Sequence, residues 1–249
     1  MNKNKIVLLE INSLSQLDIP NVFFVVGYEK YTSFSGVYLS YEELQRIDNK
    51  EKMFVLINAL IHQKDLDDFK KEMDRLIPLG VNFIIQDLGA LLYVRKHKLE
   101  KTKIIFNSYT LICNQDDFDA FEEEFDVDIA LSNELNHEEL MAVTKKEKAM
   151  ITVFGKTPIY QSYRQIVPLF EEFRNVKIDR EKELFIKEDT RPDMFPTIQN
   201  EYGTVVLRSE PLSRLEHIKE YKDFKYWYIS SLFISDEELN RVLKELNNE

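Results

Sequence analysis

Two acidic residues occupy equivalent places in the sequence and could share proton-transfer chemistry. Asp87 lies in Gln86-Asp87-Leu88-Gly89, where an apolar run ending at Ile85 turns polar before a helical segment, and Glu134 lies in Leu131-Ser132-Asn133-Glu134-Leu135, in the same relation to the run Val127 to Leu131. Two carboxylates in one cleft can have separated pKa values and divide acid and base roles. In a peptide hydrolase one of them would activate water while Asn58, Asn107 or Lys156 polarised the carbonyl. His62 could add a proton carrier, and Arg164 could clamp a carboxylate. The bland alternative gives each residue a structural task. Asp87 and Glu134 would cap the helices that follow them, Asn58 and Asn107 would satisfy loop amides, and His62, with no second ligand at metal spacing, would be a hydrogen-bonding loop residue.

Other chemistry-bearing groups give weaker signals. Cys113 has no histidine near it in sequence and fits a structural thiol better than a nucleophile. His97, His137 and His217 sit in charged helical surroundings and are expected to be solvated, so no metal site is expected. Tyr28, Tyr31 and Phe34 with Lys30 could form an aromatic lid that stacks a planar ligand, or simply pack a long loop; Tyr160, Tyr163 and Arg164 form a second such group. There is no glycine-rich phosphate loop among six glycines and no His-Glu-x-x-His run.

The elements that must position these residues follow a repeating pattern. Apolar runs at Lys5 to Ile11, Val22 to Gly27, Met53 to Ile61, Val81 to Ile85, Lys103 to Phe106, Val127 to Leu131, Ala149 to Phe154 and Tyr226 to Ile229 have the length and β-branched content of buried parallel strands. Helical patterns alternate with them, as at Asp65 to Ile77, where Leu66, Phe69, Met73 and Leu76 share one face. Ser40 with Glu43, and Ser235 with Glu238, are capping boxes. The polar markers Asn58, Asp87, Asn107, Ser132 and Gly155 recur at intervals of about 20 to 30 residues, each enough for one helix and one strand. That rhythm predicts one α/β barrel of the TIM type spanning 1–249, closed or incomplete, with its polar residues at the carboxyl edge of the sheet. After Gly155 it breaks. Ser162 to Arg174 is helical with an interruption expected at Pro168, residues 180–210 are expected to form a β-hairpin insertion before the last strand, and Leu212 to Tyr221 is expected to be helical.

Composition narrows the partners. A formal charge of −11 disfavours a broad basic face, so direct binding of nucleic acid or anionic lipid is not expected. The apolar run after Lys5 ends at Glu10, too short for a signal peptide, and no window reaches the roughly 18 apolar residues of a membrane span. A cytoplasmic location is expected.

Several motifs in this order resemble the collagenase-like peptidases, peptidase family U thirty-two. They are Asn58 and His62 after the third strand, Gln86-Asp87-Leu88-Gly89, Leu131 to Leu135, Phe154-Gly155-Lys156-Thr157-Pro158-Ile159, Phe185 to Asp189, Phe195-Pro196 and Val205 to Ser209. The resemblance implies an α/β barrel and a peptidase or related hydrolase. Some relatives instead support hydroxylation of RNA or of the ubiquinone ring, and several carry an iron–sulfur cluster on four cysteines. In those members Ser162 and Arg164 would be followed by the first cluster cysteine, and here that position is Gln165. Carboxamide oxygen is a poor ligand where thiolates are required, so no cofactor is expected. The alternative to a hydrolase is a non-catalytic barrel that binds a peptide, a small molecule or a family-related partner protein, or an accessory to RNA or quinone hydroxylation.

Overall fold

The computed structural model describes residues 5–97, 102–180 and 182–247. Seven barrel strands, all parallel, follow one another: β1 (Ile6–Glu10), β2 (Phe23–Tyr28), β3 (Met53–Ile57), β4 (Asn82–Ile85), β5 (Ile104–Phe106), β6 (Asp128–Ala130) and β7 (Ala149–Gly155), and the two residues Tyr38–Leu39 add a short parallel pairing to β2. The eighth barrel strand comes only after a long excursion through β8 (Pro158–Ser162), β9 (Leu184–Lys187), β10 (Met194–Asn200) and β11 (Gly203–Leu207), and is β12 (Tyr226–Ser230). It pairs with β7 on one side and β1 on the other, and β1 pairs with β2, so the barrel is closed.

Closure explains why these strands are apolar on both faces. Leu8, Val25, Phe54, Leu56, Ile84, Ile105, Ala130, Met150, Tyr226 and Tyr228 form one cluster that fills the lumen, while alternate residues such as Leu9, Val55, Ile57, Phe83 and Ile85 belong to the larger layer between sheet and helices. The outer helices are α1 (Tyr41–Arg46), α2 (Leu66–Leu76), α3 (Leu88–Arg95), α4 (Gln115–Phe125), α5 (His137–Ala142), α6 (Ile166–Arg174) and α7 (Asp236–Asn247). Their starts follow local chemistry. Ser40 with Glu43 and Asn136 with Glu139 make reciprocal capping boxes, and the Ser235 hydroxyl accepts the Glu238 amide.

The excursion departs from the expected pattern. Residues 180–210 form more than a hairpin: β9, β10, β11 and β8 make a four-stranded antiparallel sheet in the order β9-β10-β11-β8. Pro196, which looks like a loop residue, pairs with Phe185 of β9, while the β10–β11 ladder begins one residue later at Thr197, so the proline stands where only one neighbour pairs with the strand. Pro168 does not interrupt α6; it lies in the first turn, where its missing N–H would have had no partner. Leu212 to Tyr221 is not an α-helix but a two-residue strand and short 3-10 turns. Arg214 ties this stretch to the barrel, its buried guanidinium donating to the carbonyls of Thr152, Asn133 and Leu135.

Candidate functional site

The carboxyl ends of the barrel strands are roofed. Phe34 from the loop after β2, Tyr109 from the loop after β5, Val205 and Leu207 of β11, and Leu232 beyond β12 pack into a cluster over the mouth. Polar contacts join roof and barrel. Asn200 donates to the carbonyls of Thr32 and Ser33, and Gln161 of β8 donates to the Ser33 hydroxyl and the Asn58 carbonyl. Tyr28, Tyr31 and Phe34 are all buried and serve as packing. Beside the roof remains a cleft of about 460 Å³ lined by Leu60, Gln86, Ser108, Tyr109, Thr110, Glu134 and the strand Pro158 to Gln161.

The sequence candidates fall into two groups. Asn58 and Asn107 are buried at the rim and hold loops: Asn58 Oδ1 accepts the Ser33 amide at 2.8 Å while Nδ2 donates to the Phe34 carbonyl at 3.0 Å, and Asn107 Oδ1 accepts the Tyr109 amide at 3.1 Å. Asp87 caps α3, with Oδ1 accepting the Ala90 amide at 2.8 Å and Oδ2 the Ile61 amide at 3.4 Å. Its carboxylate is engaged on both oxygens. Glu134 is exposed and lines the cleft. The other three lie apart from it. The His62 ring lies against that of Tyr163 with centroids 3.7 Å apart and the planes tilted by 41°, Lys156 donates to the Ser209 carbonyl at 2.5 Å beside a separate hollow near Phe185 and Phe233, and Arg164 is exposed.

A buried carboxyl absent from the sequence candidates belongs here. Glu10, the last residue of β1, is 1% exposed, and its Oε2 accepts from Tyr228 Oη at 2.8 Å and from Ser230 Oγ at 2.6 Å. Burial pushes its pKa up to about 7 against the opposing effect of those hydroxyls. Burial also pushes the neighbouring Tyr109 phenol up, and burial, with a smaller contribution from the Glu10 charge, raises Tyr38 to about 12. The signal was the alternation Ile6, Leu8, Glu10 on the lumen face, in which Glu10 ends a strand rather than interrupting an apolar run.

Three buried side-chain polar atoms lack a hydrogen-bond partner among the described residues: Glu10 Oε1, Gln86 Oε1 and Asn133 Oδ1. All three stand at or just past the carboxyl end of a barrel strand. Unsatisfied buried acceptors are costly, and these three stand where a donor from water or from a ligand would offset that cost. Gln86 also lines the cleft, donating through Nε2 to Gln161 Oε1 at 2.7 Å.

His137 and His217, expected to be solvated, are partly buried and stacked with centroids 3.9 Å apart. The position equivalent to the family's first cluster cysteine does not fit such a group, and the sequence holds a single thiol elsewhere. Gln165 donates to the Asn200 carbonyl at 2.6 Å, and Cys113, the single cysteine of the sequence, is exposed on the loop before α4, where its thiol meets the Thr110 carbonyl. One thiol cannot replace four.

Residues 38–245 match the sequence profile of peptidase family U32. A protein of Bacillus subtilis (strain 168) named tRNA hydroxylation protein P2 is 21% identical over 212 residues, covering 80% of this chain and 69% of its own. The solved structure of the U32 peptidase Mk0906 superposes with a TM-score of 0.54 at 16% identity, over 91% of this chain and 92% of that one, and so shares the barrel fold.

Proposed function

The chain belongs to peptidase family U32, and we propose that it acts as a ligand-binding barrel in RNA hydroxylation rather than as a peptide hydrolase. The observation that carries this reading is the state of the two rim carboxylates. Asp87 spends both oxygens on backbone amides, which leaves Glu134 without an acid–base partner across the cleft, while unpaired acceptors line the same rim. A carboxylate fixed as a helix cap is a poor candidate to activate water.

The cleft favours a small polar ligand. Gln86, Ser108, Thr110 and Glu134 supply polar groups, and Tyr160 with Leu60 supplies apolar wall, but among the described residues no lysine or arginine lines it. A ligand bearing N–H or O–H donors suits that lining better than an anion. The acidic sequence argues that RNA itself is held elsewhere, by a partner protein.

The deciding experiment is nucleoside mass spectrometry of tRNA from cells lacking the protein, complemented with wild type, Gln86→Leu or Glu134→Ala. Loss of hydroxylated nucleosides in the deletion, restored by wild type, supports the reading; an unchanged nucleoside profile overturns it. The hydrolase alternative keeps one observation in its favour, because the outer strand β8 forms a cleft wall along which an extended peptide could align. Turnover of a fluorogenic peptide library by purified protein, abolished in Glu134→Ala, would establish it instead.

A further inference from the structure

Away from the cleft, three side chains from two distant segments meet. His137 is the first residue of α5, placed by the capping box immediately before it, and His217 ends one 3-10 turn while Glu220 begins the next, in the stretch that leads to β12. His137 Nε2 lies 3.2 Å from one Glu220 carboxylate oxygen, and His217 Nδ1 lies 3.0 Å from the other. One ligand atom from each of the three residues falls within 4.8 Å of the others.

We infer that His137, His217 and Glu220 form a binding site for a divalent transition-metal ion of the Zn²⁺ type. Two imidazoles and a carboxylate are a common zinc donor set, and an ion about 2.0–2.1 Å from each donor holds the donors roughly 3.4 Å apart at tetrahedral angles. The two histidine–carboxylate spacings, 3.2 and 3.0 Å, already approach that figure, the donors all lie within 4.8 Å of one another, and binding requires the stacked imidazoles to turn toward a common point. The opposite face of the His137 ring is fixed as well. Its Nδ1 meets the hydroxyl of Tyr221 at 2.9 Å, and Tyr221 is buried with its carbonyl accepting the Trp227 indole N–H. With Nδ1–H donating to that hydroxyl, the lone pair of Nε2 is free for the metal, the usual way an outer hydrogen bond selects the ligating nitrogen. Glu216, 3.5 Å from His217 Nε2, adds negative charge beside the site.

Such an ion would join the start of α5 to the segment entering the last barrel strand. Arg214 already links these regions through the carbonyls of Asn133 and Leu135, so the metal would be a second clasp on the loop that carries Glu134 into the cleft. Imidazole donors select Zn²⁺, Co²⁺, Ni²⁺ or Cu²⁺ over Mg²⁺ and Ca²⁺, which require oxygen-rich sites.

The test uses the untagged full chain, stripped with a chelator and titrated with Zn²⁺ in a calorimeter, with Co²⁺ as a visible-absorption probe. One equivalent should bind, unaffected by millimolar Mg²⁺. His137→Ala and His217→Ala should each weaken binding by at least about 100-fold, and Tyr221→Phe, which alters only the outer hydrogen bond, by about 10-fold. His97→Ala should leave affinity unchanged. NMR of the wild type provides a reading independent of variant folding: Zn²⁺ should shift the ring signals of His137 and His217 and leave those of His62 and His97 in place. Affinity unchanged in both alanine variants, or equal shifts at all four histidines, would overturn the site and leave two imidazole–carboxylate hydrogen bonds.

Discussion

Two carboxylates are buried inside the same barrel, one at each end, and each accepts a hydrogen bond from a tyrosine of β12. At the amino end, Asp128 takes the Tyr226 hydroxyl at 2.7 Å and is paired with Lys225 Nζ at 2.8 and 2.9 Å. At the carboxyl end, Glu10 takes the hydroxyls of Tyr228 and Ser230, has no cationic partner among the described residues, and leaves Oε1 unpaired. Desolvation of a charge is offset where an opposite charge and further hydrogen bonds accompany it, as around Asp128. Around Glu10 two hydroxyls offset it only in part, and burial still raises the carboxyl pKa to about 7. The contrast follows the division of labour in such barrels, in which the amino face carries stability and the carboxyl face carries sites.

The contrast between the two ends should show most strongly in the pH dependence of stability. Between about 4.5, the ordinary value, and about 7, folded Glu10 keeps a proton that the unfolded chain releases. Stability therefore falls as pH rises through that window, by about 3 kcal/mol in all, and the contribution is flat above it. Urea unfolding at pH 5 and pH 8 should show this slope, and Glu10→Gln, which keeps an oxygen for both hydroxyls, should lose that part of it. An identical slope in the variant would mean that Glu10 is not the group responsible. At the other end, Lys225→Met removes the cation bonded to Asp128 and leaves only the more distant charge of Lys148. Because Lys225 is itself partly exposed, the expected loss is about 2 kcal/mol, below the full cost of breaking a buried pair. A loss below about 0.5 kcal/mol would show that the amino end does not depend on the ion pair.

All eight barrel strands were legible in the sequence because burial on both faces writes each as a short apolar run. The roof was only half legible: β8 and β10 contain Pro158, Gln161, Pro196 and Asn200, residues that suit an antiparallel sheet with an open side but resemble loop. The rim was legible as a place and not as a set of roles. Asn58 and Asn107 do stand at strand ends, but whether they bind ligand or hold loops depends on Ser33, Phe34 and Tyr109, contacts set by how the chain folds back. The meeting of His137 with His217 likewise exists only once the segment before β12 has folded against α5.

Smaller effects sharpen the distinction between holding and acting. Asp87→Ala removes the cap of α3 and should cost about 1 kcal/mol in thermal or urea unfolding. Asp87→Asn retains a capping oxygen and should recover most of that stability. If both variants restore tRNA hydroxylation in proportion to their folded fraction, Asp87 is a positioning residue. An Asn variant that is stable yet inactive would return the carboxylate to chemistry.

Gln86→Leu should have the smallest effect on stability and the most informative one on function. The substitution loses the hydrogen bond to Gln161 but also removes an unpaired buried acceptor, two terms of similar size and opposite sign, so the net change should stay within about 1 kcal/mol. If the rim keeps that acceptor for a ligand, the variant should fold like wild type, melt within a few degrees of it, and still fail to restore hydroxylated nucleosides. Full complementation by a stable Gln86→Leu protein would show that the unpaired acceptor is only a packing cost and would remove the cleft from the proposed function. Glu10 would then be the carboxyl-end group left to examine, since it alone among the three unpaired acceptors can change its charge near neutral pH.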